Sequence, residues 1–286
     1  MNTFSSILSR WQQSLKALYP EREIANLFRF AVEDLFGITF TEQKTQKDAA
    51  QPQDICDRLA EVETRLQTGE PLQYIVGFTW FDDLKIAVSP AVLIPRPETE
   101  ELVHLVARSL PEGYDGKIVD WCTGSGCIAL ALKQHFPDAQ VFGYDLSEAA
   151  VEMARHNAAQ LKLDVTFEVR DALSATGDDG PRDTGVIVSN PPYIPEKEHT
   201  EMRTNVKLFE PHMALFVPDD KALLFYEAIA QRAAASLSMR GYLFFEVHEN
   251  YAEQTRNMLN GHDELVLANI IRDMQDKPRM IRAIRR

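Results

Sequence analysis

Residues Val119–Leu132 read VDWCTGSGCIALAL. An apolar run, a turn of small residues and a second apolar run at helical spacing make a strand, a tight turn and a helix. Gly124 and Gly126 let the backbone turn sharply and approach a ligand closely. The helix that follows offers free N–H groups and the positive end of its dipole. A dinucleotide fingerprint needs G-x-G-x-x-G, and the third glycine is missing here. The turn therefore suits an adenosine without a pyrophosphate.

Outward from this unit the pattern repeats. KIVDWC, AQVFGYD, VTFEVRD, TGVIVSN, GYLFFEVH, ELVLANII and RMIRAIRR read as seven strands. Helical patterns separate the first five, the clearest being GCIALALKQHF, SEAAVEMARHNAAQL and KALLFYEAIAQRAAASL. Such alternation predicts a mostly parallel, doubly wound α/β sheet with helices on both faces. Only RDMQDKP joins the last two strands, so they should be antiparallel.

In such a sheet, ligands bind beyond the C-terminal strand edges. Asp120 and the glycine turn, Asp145, Asp171 and Asn190 each close a strand, so they should gather along one rim. Asp145 lies about 20 residues beyond the glycine turn, where an acid accepts hydrogen bonds from a ribose diol. The fourth strand ends in Asn190-Pro191-Pro192-Tyr193. A plain turn prefers Gly or Asp and needs no aromatic. A stiff clamp for a small planar group uses an amide, two prolines and a ring.

The first seventy or so residues read as a small helical bundle. Phe4, Ile7, Leu8, Trp11, Leu15 and Leu18 recur at helical spacing, as do Ile24, Leu27, Phe28, Ala31 and Leu35. A further helix carries Ile55, Leu59, Val62 and Leu66, and TEQKTQKDAAQPQ is a short helix or loop. Phe28, Phe30 and Phe36 read as core residues of this bundle. WFDDLKIAVSP alternates Phe81, Leu84, Ile86 and Val88 around an Asp-Asp turn, which predicts a β-hairpin. The expected organisation is a bundle over 1–75, a hairpin linker over 76–92 and an α/β domain over 93–286.

Composition narrows the function. Hydrophobic residues make up 45% of the 286, enough for a real core. A net charge of −13 argues against a duplex nucleic-acid partner, because neutralising phosphates needs a basic face. Cys56, Cys122 and Cys127 give no disulfide framework. Without a second pair or nearby histidines, Cys122 and Cys127 read as buried thiols rather than metal ligands. The seven histidines are scattered and read as surface or capping residues. The N-terminus lacks a signal peptide and no apolar run reaches membrane-spanning length, so a reducing cytoplasm is expected.

Taken together, DWCTGSG, the ribose acid and Asn-Pro-Pro-Tyr resemble the S-adenosylmethionine-dependent methyltransferases that act on planar nitrogens. GEPLQYIVGFTWF and AVLIPRPETEELV narrow the resemblance to the peptide chain release factor glutamine methyltransferases, the HemK/PrmC family. The likeness is close from Gly69 to about Pro192 and looser beyond. It implies a seven-stranded Rossmann-like methyltransferase domain behind an N-terminal helical bundle.

The same resemblance assigns S-adenosyl-L-methionine, and its product S-adenosyl-L-homocysteine, to Asp120, Cys122, Thr123, Gly124, Ser125, Gly126, Asp145, Leu146, Asp171, Ala172 and Asn190. Catalysis and substrate binding fall to Asn190, Pro191, Pro192 and Tyr193, with Arg96 bordering the substrate. Implied partners are class-1 release factors, methylated on the glutamine of a Gly-Gly-Gln loop by a monomer that binds neither DNA nor membrane. A ribosomal-protein glutamine or an adenine N6 are the rival substrates, and a non-catalytic binding module is the rival class.

Two positions depart from the family. Cys122 stands where the first glycine of the turn is usual, which predicts an ordinary negative φ there. Ala172 stands where an aromatic often follows the third-strand acid. Pro97 opens a helix with Glu98, Glu100 and Glu101 in its first turn, where anions suit the dipole. Ile194–Asp220 is long for a loop and reads as a substrate-side lid. Glu246 and Glu249, in EVHEN, read as a strand end rather than as site residues.

Overall fold

The computed structural model describes residues 2–174, 180–202 and 204–286. They form two compact units: Met1–Phe78 with Arg203–Phe209, and Thr79–Met202 with Glu210–Arg286.

The first unit is helical: α1 (Phe4–Leu15), α2 (Glu21–Phe36), α3 (Phe40–Thr45), α4 (Gln53–Leu66) and α5 (Leu72–Val76). Thr3 caps α1 by accepting the Ser6 N–H, and Gly37 closes α2 at φ 68°. Phe4, Ile7, Trp11, Ile24, Phe28, Leu59 and Val62 form one buried core. Trp11 meets Phe28 edge-on at 5.2 Å. Each such side chain stabilises the bundle by about 1.5–3 kcal/mol. Phe30 is 42% exposed, contrary to expectation, because it leaves the buried stripe that Phe28 holds; Phe36 only packs against it.

The second unit begins at Thr79, within a hairpin of β1 (Phe78–Phe81) and β2 (Leu84–Ala87) whose turn residues Asp82 and Asp83 are left-handed at φ 48° and 63°. The chain continues through α6 (Pro97–Ser109), β3 (Lys117–Trp121), α7 (Cys127–His135), β4 (Gln140–Asp145), α8 (Glu148–Leu161), β5 (Val165–Val169) and β6 (Thr184–Ser189). It then passes β7 (Ile194–Pro195), α9 (Thr204–Phe209, part of the first unit), β8 (Phe216–Val217), α10 (Leu224–Ser236), β9 (Leu237–Glu246), α11 (Ala252–Asn260), β10 (Leu265–Arg272) and β11 (Pro278–Arg285).

Seven of these strands form one sheet in the order β10-β11-β9-β6-β3-β4-β5. All seven are the strands read from the sequence. The β3–β4, β3–β6, β4–β5 and β6–β9 pairs are parallel, while β11 runs antiparallel to both β9 and β10. Segment 194–220 is not one open loop; its described part carries β7 paired with β8, the helix α9 and two 3-10 helices.

Register fixes where the strand ends meet. Trp121 pairs with Tyr144 and with Ser189, and Ser189 pairs with Phe245. One residue further on, Cys122, Asp145, Asn190 and Glu246 therefore emerge side by side on the C-terminal rim.

Candidate active site

The glycine turn is built tightly. Gly126 has φ 82°, and a Cβ there would stand 2.8 Å from the Phe167 ring and 3.0 Å from Ala154. No other residue fits. Gly124, at φ 54°, has open space where its Cβ would be, and that space is the cavity described below. The Tyr144 carbonyl accepts the Thr123 N–H at 2.9 Å, and buried Asn157 donates to the Ser125 carbonyl at 2.9 Å.

Cys122 corrects the expectation of negative φ: it is left-handed at φ 61°. The turn keeps the backbone path of a glycine although a side chain occupies it. Strain of about 1–2 kcal/mol is stored there. Burial pushes the Cys122 thiol well up, with Asp145 and Asp120 adding to the effect, so it stays protonated. Burial likewise pushes Cys127 up to about 12.

Asp120 lies beneath the turn, fully buried, and accepts the Thr123 hydroxyl at 2.5 Å. Its other oxygen is buried without a hydrogen-bond partner. Burial outweighs the hydrogen bonds and lifts its carboxyl from 3.8 to about 7. Asp145 accepts the Gly124 and Ser147 N–H groups at 2.9 Å each; burial still raises its pKa.

A cavity of about 110 Å³ opens over this rim. Of the residues expected at the site, Cys122, Gly124, Asp145, Leu146, Asp171, Ala172, Asn190 and Pro192 line it. Asp120, Thr123, Ser125 and Gly126 lie behind it and shape the turn. Ala91–Leu93, Ser147, Ala150, Arg170, Leu173, Pro211, Met213, Ala214 and Phe225 line it without having been expected. Leu146, Leu173 and Met213 are 55%, 39% and 51% exposed, so this cavity gathers large apolar groups that a core would bury. Arg232 stacks over Trp121 and donates to the Asp171, Ala172 and Ser174 carbonyls, holding the β5 exit in place.

Asn190 belongs to a buried chain of hydrogen bonds. Its Nδ2 donates to Thr99 Oγ1 at 3.2 Å, and Thr99 donates to Glu246 Oε2 at 2.7 Å. Tyr193 donates its phenol to Glu246 Oε1 at 3.2 Å. Burial raises the Glu246 carboxyl, opposed by Thr99, Arg279 and Tyr193. With Nδ2 committed to Thr99, the Asn190 Oδ1 is the atom left to accept a hydrogen bond.

Tyr193 does not line the cavity. It borders a separate polar depression with Glu198, His248, Glu249 and Arg279. Nor does Arg96 line it: Arg96 pairs with the buried Glu210 at 2.5 Å, and Glu210 also accepts the Ile94 N–H. That pair fastens residue 210, just before the cavity-lining Pro211, to the loop ahead of α6. Thr99 and Glu246 are the participants that sequence reasoning missed. A carboxylate closing the apolar run YLFFE was the available signal.

The sheet, its glycine turn and the cavity on its C-terminal rim define a methyltransferase. Residues 100–224 match the model of the methyltransferase small domain, and residues 6–77 match that of the PrmC N-terminal domain. The release factor glutamine methyltransferase of Bacteroides thetaiotaomicron is 39% identical over 274 residues, covering 96% of this chain and 97% of that protein. Its namesake in Flavobacterium psychrophilum is 34% identical over 277 residues, 96% of each chain. That of Koribacter versatilis is 33% identical over 259 residues, 91% of this chain and 88% of that one. The chain belongs to the release factor glutamine methyltransferase family.

Proposed function

We propose that this protein transfers a methyl group from S-adenosylmethionine to the side-chain amide nitrogen of the Gly-Gly-Gln glutamine in class-1 release factors. The observation that carries the reading is the fixed orientation of Asn190. Its Nδ2 donates to Thr99, which leaves Oδ1 to accept from a substrate NH₂ group.

The residues present fit the methyl donor. Gly124 leaves open space where a side chain would stand, Asp145 sits beside it for a ribose, and Leu146, Leu173 and Met213 offer apolar walls for a base. When bound, the donor supplies an electrophilic methyl on a sulfonium.

An amide nitrogen is a poor nucleophile, because its lone pair is delocalised into the carbonyl. Asn190 Oδ1 and the Pro191 carbonyl would accept from the two amide protons and so orient the NH₂ group. Both acceptors stabilise positive charge as it develops on nitrogen. Pro191 and Pro192 stiffen the clamp. No general base is needed, because the nitrogen sheds a proton once methylated.

The helical unit is the proposed grip on the release factor. Its exposed Phe30 and Phe40 share the Arg29 guanidinium, and Lys44 sits 4.2 Å over Phe40, a surface suited to a protein partner. Among the described residues, no helix is long and apolar enough to cross a membrane. Transfer of a radiolabelled methyl to a release factor, and its loss when the Gly-Gly-Gln glutamine is changed to asparagine, tests the proposal.

A further inference from the structure

Asp82, His104 and His135 take no part in the site above. Asp82 is at the tip of the β1–β2 hairpin, His104 is on α6, and His135 is in the last turn of α7. The Asp82 carboxylate meets His104 Nε2 at 2.7 Å through Oδ1 and His135 Nε2 at 2.8 Å through Oδ2. The three donor atoms lie within 4.8 Å of one another. The imidazoles stand edge to face at 89°, with centroids 6.1 Å apart.

The turn supplies a second observation. A hairpin tip ordinarily leaves its polar side chains in water, yet the Asp82 side chain is only 10% exposed. Its backbone is left-handed, and so is that of Asp83, at the second position where glycine is favoured. The carboxylate is thus turned inward onto two imidazoles by a backbone that costs energy to hold. Asp83 and Glu100 line the same depression as Asp82 and His104, adding negative charge around it.

Two imidazoles and one carboxylate, with solvent free to complete the shell, are the donor set of a borderline divalent ion. Magnesium and calcium favour all-oxygen shells. We propose that Asp82, His104 and His135 bind a divalent transition-metal ion, Zn²⁺ by its donor chemistry, which staples the hairpin tip to α6 and α7. Bonds of about 2.0–2.2 Å place tetrahedral donors roughly 3.3 Å apart, so each carboxylate–imidazole contact opens by about half an ångström on loading. The His104 and His135 side chains are 52% and 35% exposed, which leaves both rings room for that shift.

Calorimetric titration of the chelator-treated full chain with ZnCl₂, and with MgCl₂ in parallel, tests the site. The expected result is uptake of one Zn²⁺ per chain, at least tenfold weaker in His104→Asn and in His135→Asn, with no uptake of Mg²⁺. Zn²⁺ should also raise the melting temperature of the wild type but not of His104→Asn, and methyl transfer by that variant should be unchanged. Lack of one-to-one uptake at up to about 100 μM Zn²⁺ overturns the proposal. Undiminished uptake by the double variant His104→Asn/His135→Asn overturns it as well, pointing to other ligands. If His135→Asn does not fold, the exposed His104→Asn decides alone.

Discussion

The Thr99 hydroxyl donates to the Glu246 carboxylate at 2.7 Å, and both side chains are buried, at 3% and 2% exposure. The same hydroxyl oxygen accepts from Asn190. A carboxylate at the end of β9 thereby sets the orientation of an amide at the end of β6. Thr99→Val removes the link and leaves the Asn190 NH₂ without its partner. Turnover should fall by up to about 100-fold, the scale of a misplaced reacting group, while cofactor affinity stays within about twofold. Thr99→Ser should restore most of the rate. Wild-type kinetics in Thr99→Val would remove Thr99 from the positioning chain.

Asp145 offers the charged hydrogen bonds expected of a ribose partner. Asp145→Ala should weaken S-adenosylmethionine binding by roughly 1.5–3 kcal/mol, or about 10- to 150-fold, in a calorimetric titration. Unchanged affinity would take Asp145 out of the proposed ribose site and leave it holding the Gly124 and Ser147 N–H groups alone.

Cys122 carries backbone strain that a glycine would not. Cys122→Gly and Cys122→Ala both lose the thiol's packing, but only the alanine keeps the strained φ of 61°. The glycine variant should be more stable than the alanine variant by about 1–2 kcal/mol in chemical denaturation. Equal stability would mean that the turn relaxes.

Asp120 links stability to pH. Its folded pKa, raised from 3.8 to about 7 by burial, means that the folded state holds the proton more tightly than the unfolded chain. Its contribution is full below about pH 4 and is lost as pH rises toward 7. Relative to Asp120→Asn, the wild type should lose up to about 4 kcal/mol across that window. Denaturation midpoints that track each other at every pH would contradict the assignment.

The sheet was legible because buried parallel strands are continuous apolar runs, and each of the seven here is bounded by a turn or a helix. The antiparallel last pair followed from the short RDMQDKP connection. The rim followed too, since strand ends in a doubly wound sheet share an edge. What stayed hidden was tertiary. Thr99 and Glu246 are 147 residues apart, and no local pattern pairs them. Asp82 and His135 are 53 apart and looked like a turn residue and a surface histidine. Cys122 was misjudged because its neighbours, not its own preference, dictate the backbone there. Phe30 was misjudged because three phenylalanines near one helical face do not all fit its buried stripe.

In the proposed reaction Asn190 presents the release-factor glutamine for methyl transfer. Tandem mass spectrometry of a class-1 release factor, after incubation with this protein and S-adenosylmethionine, tests it most directly, with Asn190→Ala alongside. One added methyl on the Gly-Gly-Gln glutamine is expected. The rate should be on the order of 10²–10³-fold lower for Asn190→Ala, which should still bind the cofactor. A release factor left unmodified by wild-type protein that binds the cofactor, or a full rate from Asn190→Ala, would contradict it.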